Sequence, residues 1–151
     1  MKKWIMMLVL SVGLIMTGCN NEFAKQEYDS NTKIAKQEDR YAKESSIFNP
    51  IDGGYSLTIS KFDGRQTLWS TTVNEEQEME IDFSFSLSKG HAKIVHIDAD
   101  GNVTTLLENT PETSTEMIET KSVSLKSGEN SLKIVGYDCE DLELEMLFEE
   151  P

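Results

Sequence analysis

From residue 50 onward the chain changes side-chain character at every second position, and this period of two is the tightest constraint on its fold. Across 78–88, Met79, Ile81, Phe83, Phe85 and Leu87 fall on one side, with Glu80, Asp82, Ser84, Ser86 and Ser88 on the other. A helix would scatter these residues around its axis. An extended strand sorts them, because successive side chains point to opposite faces. A strand with one apolar and one polar face belongs to an antiparallel sheet, covered on one side and wet on the other. Leu142, Leu144, Met146 and Phe148 alternate with Glu143, Glu145 and Glu149 in the same way, and Tyr55, Leu57 and Ile59 make a third apolar face.

Glycine pairs punctuate these runs: Asp52-Gly53-Gly54, Asp63-Gly64, Lys89-Gly90, Asp100-Gly101 and Ser127-Gly128. Such pairs supply the positive-φ positions of tight turns. Together they predict eight strands, at 54–61, 65–73, 78–88, 91–98, 102–108, 117–125, 130–137 and 141–149, with 109–116 as the one long polar loop. Strands of this length and spacing specify an all-β fold, a single antiparallel β-sandwich over 51–151. The expected topology is jelly-roll-like, with an immunoglobulin-like sandwich as the alternative. The stretch Leu125-Lys126-Ser127-Gly128-Glu129-Asn130-Ser131-Leu132-Lys133-Ile134 resembles the approach to the penultimate strand in jelly-roll carbohydrate-binding modules.

The other end of the chain is built differently. Lys2 and Lys3 precede a continuous apolar run from Trp4 to Met16. That run is shorter than the roughly 20 residues a spanning helix needs and has the proportions of a signal-peptide core. It ends in Met16-Thr17-Gly18-Cys19, which resembles the bacterial lipobox. The resemblance implies that residues 1–18 are a signal peptide, that the Cys19 thiol receives a diacylglyceryl group, and that the mature protein begins there. Two acyl chains anchor stably where one does not. The expected location is therefore the extracytoplasmic face of a cell membrane, held by lipid on Cys19. Residues 19–50 are polar and sparsely apolar, and read as a flexible tether, helical at most in part.

The chain carries 14 basic and 27 acidic side chains. Loss of 1–18 removes Lys2 and Lys3 and no acid, which leaves a formal charge of −15. Such a body is repelled by nucleic acid and by anionic headgroups, so a nucleic-acid partner is not expected and the domain should stand off the membrane. With Cys19 lipidated, Cys139 has no partner for a disulfide, and the domain must rest on its apolar core.

Chemistry-bearing clusters are few. His96, Asp98, Asp100 and Asn102 lie within seven residues, and the last three have the alternate spacing of a calcium loop. An EF-hand needs glycine at its sixth position and glutamate at its twelfth, whereas here glycine stands fourth and Asn109 twelfth. The segment reads as a hairpin turn, with weak calcium binding as the alternative. His96 and Asp98 share a strand face and form a candidate imidazole–carboxylate pair. Trp69 is either core or a stacking platform for a sugar. No nucleophile elbow, phosphate loop or zinc-spaced cluster is present, so no catalytic residue, metal site or cofactor is expected. These residues lead us to expect a non-enzymatic binding module of the cell envelope, with an envelope protein or a carbohydrate as partner. Small-ligand binding of carbohydrate or calcium is the alternative, with Trp69, His96, Asp98, Asp100 and Asn102 as ligand-binding candidates. An unrecognised hydrolase stands third.

Overall fold

The computed structural model describes residues 21–149, so the expected signal peptide 1–18 and Cys19 lie outside the described residues. Two short helices, α1 (Asn21–Tyr28) and α2 (Asn31–Ile34), come first. Seven strands follow: β1 (Arg40–Ile51), β2 (Gly54–Val73), β3 (Gln77–Ser86), β4 (Lys89–Ile97), β5 (Val103–Asn109), β6 (Thr115–Leu125) and β7 (Gly128–Phe148). All pairings are antiparallel, in the order β1-β2-β7-β3-β6, with β4 joining β7 and β5 joining β4.

The strands β2 and β7 are long enough to serve two layers. The first half of β7 pairs with β4, and its second half with β3. Between the halves the β2–β7 ladder shifts register at Phe62/Gly64, and Gly64, Asp138 and Asp141 all have positive φ. The ladder bends there, and the continuous sheet folds over into a sandwich. Ala92, Ile94 and Leu107 of one layer share a core with Ile81, Phe83, Phe85 and Val123 of the other. Each of these side chains other than Ala92, fully buried, contributes about 1.5–3 kcal/mol relative to exposure.

The all-β antiparallel sandwich expected from the alternation is the fold observed, and its strand list changes in three places. Asp63-Gly64 and 138–141 bend strands rather than reverse them, so 54–61 joins 65–73 and 130–137 joins 141–149. The third change is β1, where a tether was expected. Residues 40–51 pair along almost their whole length with β2, Arg40 opposite Arg65 through Ile51 opposite Gly54.

The rest of the expected tether is also folded against the sheet. Helices form at α1 and α2, but Ala24, Glu27, Tyr28 and Ile34 are buried. They cover the outer face of β4 and the first half of β7, where Tyr28, Ile34, Val95, Ile97 and Val135 make a second small core. This explains why β4 is buried on both faces from Ala92 to Ile97. Charged side chains add to this apolar contact. Glu27 lies 2.5 Å from Arg65 and 3.2 Å from Arg40, the Lys93 ammonium sits 4.4 Å from the Tyr28 ring centre, and Lys133 donates to the Lys36 carbonyl at 2.6 Å. The apolar part of the contact is only Ala24, Tyr28 and Ile34, too sparse a stripe for hydropathy to announce it.

Candidate binding surfaces

The β4–β5 turn brings most of the sequence candidates together. Asp98 accepts the backbone N–H of Asp100 and of Asn102, both at 2.9 Å, and the Asn102 amide at 2.9 Å. Gly101 takes the positive φ that closes the turn. The Lys126 ammonium, from the β6–β7 turn, spans Asp98 at 2.9 Å and Asp100 at 2.8 Å. These donors hold the Asp98 carboxyl far below the ordinary carboxylate range, against the opposing effect of its desolvation. The space between the two carboxylates, where a calcium ion would sit, is thus filled by an ammonium. Among the described residues no group of three or more His, Cys, Asp or Glu gathers as metal ligands would.

His96 does not pair with Asp98 by hydrogen bond. Its Nε2 meets Asn130 Oδ1 at 3.2 Å, inside the sandwich, while His91 stacks on Tyr137 on the outer face. Asn130 is fully buried. Its Oδ1 also accepts from Lys126 N, and its amide donates to the carbonyls of Lys126 and Gly128. Asn130 therefore closes the β6–β7 turn and ties it to β4, a role its sequence position did not reveal. Burial lowers the His96 imidazole below its ordinary 6.5, partly offset by the Asn130 bond and the Asp98 charge.

Trp69 faces the core side. The β2–β7 register shifts between Thr67 and Trp69, leaving Leu68 as an extra residue. The bulge reverses the phase of the strand: Thr67 points outward opposite Lys133, while Leu68 and Trp69 both pack on the core. One face of the indole is stacked on Phe148, centroids 5.4 Å apart.

The outward face of the β2–β7–β4 layer carries a polar cleft. Its cross-strand rows read Arg65–Val135–Lys93, Thr67–Lys133–Val95 and Ser70–Ser131–Ile97. The N-terminal segment covers the first two rows. The third opens into a cleft of about 340 Å3, lined by Thr67, Ser70, Asp98, Glu129, Ser131 and Lys133 among others. Lys133 is buried, and burial lowers its ammonium from the usual lysine range. Glu129 reaches the Gln37 amide at 3.3 Å.

A second surface lies along the sheet edges. Among the described residues β1 pairs only with β2, and β6 only with β3. On β1, Ile47 and Phe48 are 60% and 59% exposed, and on β6 Met117 and Ile118 are 74% and 62% exposed. Phe48 rests one ring face against Tyr55 at 5.0 Å. The exposed pair on β1 sits between a kink at Ser45, φ +37°, and Pro50, which has no N–H. Both devices blunt an edge, and the four residues between them, 46–49, are left unblunted.

No protein-family model matches the chain, and no curated protein matches it. Solved structures with a similar trace include a carbohydrate-binding module from a Cellvibrio mixtus lichenase in complex with cellotriose, at a TM-score of 0.41 and 11% identity over 74% of this chain and 90% of that one. The CBM35 of Paenibacillus barcinonensis gives 0.35 and 16%, over 74% and 93%. An exo-β-1,3-galactanase from Phanerochaete chrysosporium gives 0.38 and 13%, over 74% of this chain and 29% of the enzyme. At these values the likeness bears on no residue and no activity.

Proposed function

We propose that this protein is a lipoprotein of the bacterial cell envelope, anchored through Cys19 on the extracytoplasmic face of the membrane. In this reading its sandwich is a non-enzymatic interaction module, and it binds an extended segment of an envelope protein along β1. One observation carries the binding mode: an edge strand with a free side and two adjacent, majority-exposed apolar side chains, Ile47 and Phe48. Strand addition at such an edge takes affinity from main-chain hydrogen bonds and specificity from alternate side chains. Ile47 and Phe48 point to opposite faces of the strand, so each would enter a separate pocket of the added segment.

The test uses the full chain in bacterial envelopes, with a photoreactive side chain at Ile47 and, as control, at Lys121. A discrete adduct with another protein from position 47, absent from 121 and abolished by Ser46→Pro, supports the reading. Equal adducts from both positions, or none from 47, would overturn it. Cys19→Ala should move the protein from the membrane to the soluble fraction.

The cleft favours a second reading, a small polyhydroxylated ligand such as a carbohydrate, because hydroxyls of Thr67, Ser70 and Ser131 stand beside carboxylates of Asp98 and Glu129. Within it Trp69 is not the platform, since it packs on the other side of the sheet. His96, Asp100 and Asn102 would act only by holding Asp98 and the turn in place. Calcium is disfavoured by the Lys126 ammonium between the two carboxylates. Titration calorimetry with soluble oligosaccharides checks this reading: heat that is lost in Ser131→Trp supports it, and no heat removes it.

A further inference from the structure

We infer that the bent corner of the sandwich rests directly on the lipid surface, with Phe23, Lys25, Arg40, Tyr41 and Lys43 as the contact. This rests on the reading of Cys19 as the lipidated residue. Only Asn20 separates Cys19 from the first residue of α1, and two residues span at most about 7 Å even when fully extended. The helix has no freedom to swing the body away. Ala24, Glu27 and Tyr28 are buried against the sheet, and Glu27 is held by Arg65. The corner beside the start of α1 is therefore kept within a few ångströms of the anchor, and the chain, acidic as it is, cannot stand off the membrane.

The chemistry of that corner suits a bilayer surface. The Arg40 guanidinium lies 4.6 Å from the Phe23 ring centre, and the Lys43 ammonium 5.0 Å from the Tyr41 ring centre. Tyr41 is 42% exposed and stacks its inner side on Phe62. Half-exposed aromatic rings flanked by cations are the composition of an interfacial contact, with rings at headgroup depth and cations toward phosphates. Three of the acids nearby are matched by cations, Asp138 by Lys25 at 3.4 Å, Glu44 by Lys61 at 3.2 Å and Glu140 by Lys89 at 2.6 Å, while Glu22 and Asp141 are not, among the described residues. Most of the acidic excess lies elsewhere, at Glu78, Glu80 and Asp82 on β3, Glu143 and Glu145 on β7, and Glu149. Ten residues of β7 separate Asp138 from Gly128, about 33 Å of strand. The cleft mouth and the β4–β5 turn therefore face away from the membrane, and β1 rises from it.

The test takes the lipidated full chain in vesicles of phosphatidylethanolamine and phosphatidylglycerol. A fluorophore is placed at Lys25→Cys, Lys43→Cys or, at the far end, Glu75→Cys, and the vesicles carry spin-labelled headgroups as quencher. Quenching several-fold stronger at 25 and 43 than at 75 is expected, and Tyr41→Asp should weaken it at 43 while the protein still floats with the vesicles. Flotation with equal quenching at all three positions would overturn the contact and leave the anchor intact. Failure to float, with Cys19 unmodified by intact mass, would overturn the anchor reading and the contact with it.

Discussion

Asn130 and His96 show how a polar residue can be structural without touching a ligand. Every hydrogen-bonding position of the Asn130 side chain is filled by protein groups, so its loss strands several buried partners at once. Asn130→Ala should lower stability by about 1–3 kcal/mol, read as a fall in the urea midpoint at unchanged slope. His96 adds a pH dependence of defined sign. Its folded imidazole is held below the ordinary 6.5 by burial, so the unfolded chain takes up a proton that the folded chain refuses. Stability is full above the unfolded value and is lost as pH falls below it. The unfolding midpoint should therefore decline between pH 7 and pH 5.5, and His96→Gln should flatten that decline. Cys139, buried with its thiol pushed up to about 12, should resist thiol reagents in the native protein at pH 8.

At the scale of elements, the N-terminal segment decides what kind of molecule this is. Glu27 and Arg65 are both almost fully buried, so Glu27→Ala would leave a guanidinium uncompensated beneath α1. That should cost about 3–5 kcal/mol, while Arg40→Ala removes a mostly exposed guanidinium and leaves Glu27 paired with Arg65, so it should cost clearly less. Chemical denaturation of the two variants side by side gives the comparison, and a free tether would make both silent. Sequence reading was strong where one side of an element is apolar and the other wet. The inward residues of 78–88 and 142–148 are buried at Ile81, Phe83, Phe85, Leu87, Leu142, Leu144 and Met146. It failed where other physics governs. An edge strand such as β1, exposed over most of its length, has little burial to impose alternation. A helix docked by Ala24, Tyr28 and the Glu27 ion pair carries only a sparse apolar stripe. An Asp-Gly pair supplies positive φ whether the chain reverses or merely bends, and only the partner strand tells which. The bulge at Leu68 reverses the phase of β2, which is why alternation alone left Trp69 undecided. Of the candidate ligand-binding residues, the turn cluster was legible from spacing, but Lys126, which fills it, comes from a turn 24 residues further along.

For the whole molecule, the proposed anchor at Cys19 and the fold bear on each other. A tether would make the anchor a leash and leave the sandwich free to sample the space above the membrane. With the proposed lipid on Cys19, a docked α1 would make the anchor a fixed mount, setting the bent corner down and presenting the β1 edge and the polar cleft outward. The overall acidity is compatible with such a mount because Asp138, Glu44 and Glu140 near the corner are paired with cations, while most of the unpaired carboxylates lie on β3 and the end of β7. The account depends on residues 21–35 being part of the folded body. Hydrogen exchange of the full lipidated chain in vesicles tests that most directly. The account predicts that backbone amides in a peptide covering 21–35 are protected on the timescale of β2 and β7, and that Glu27→Ala releases them first. Exchange of that peptide at the rate of an unstructured chain, with the strands still protected, would contradict it.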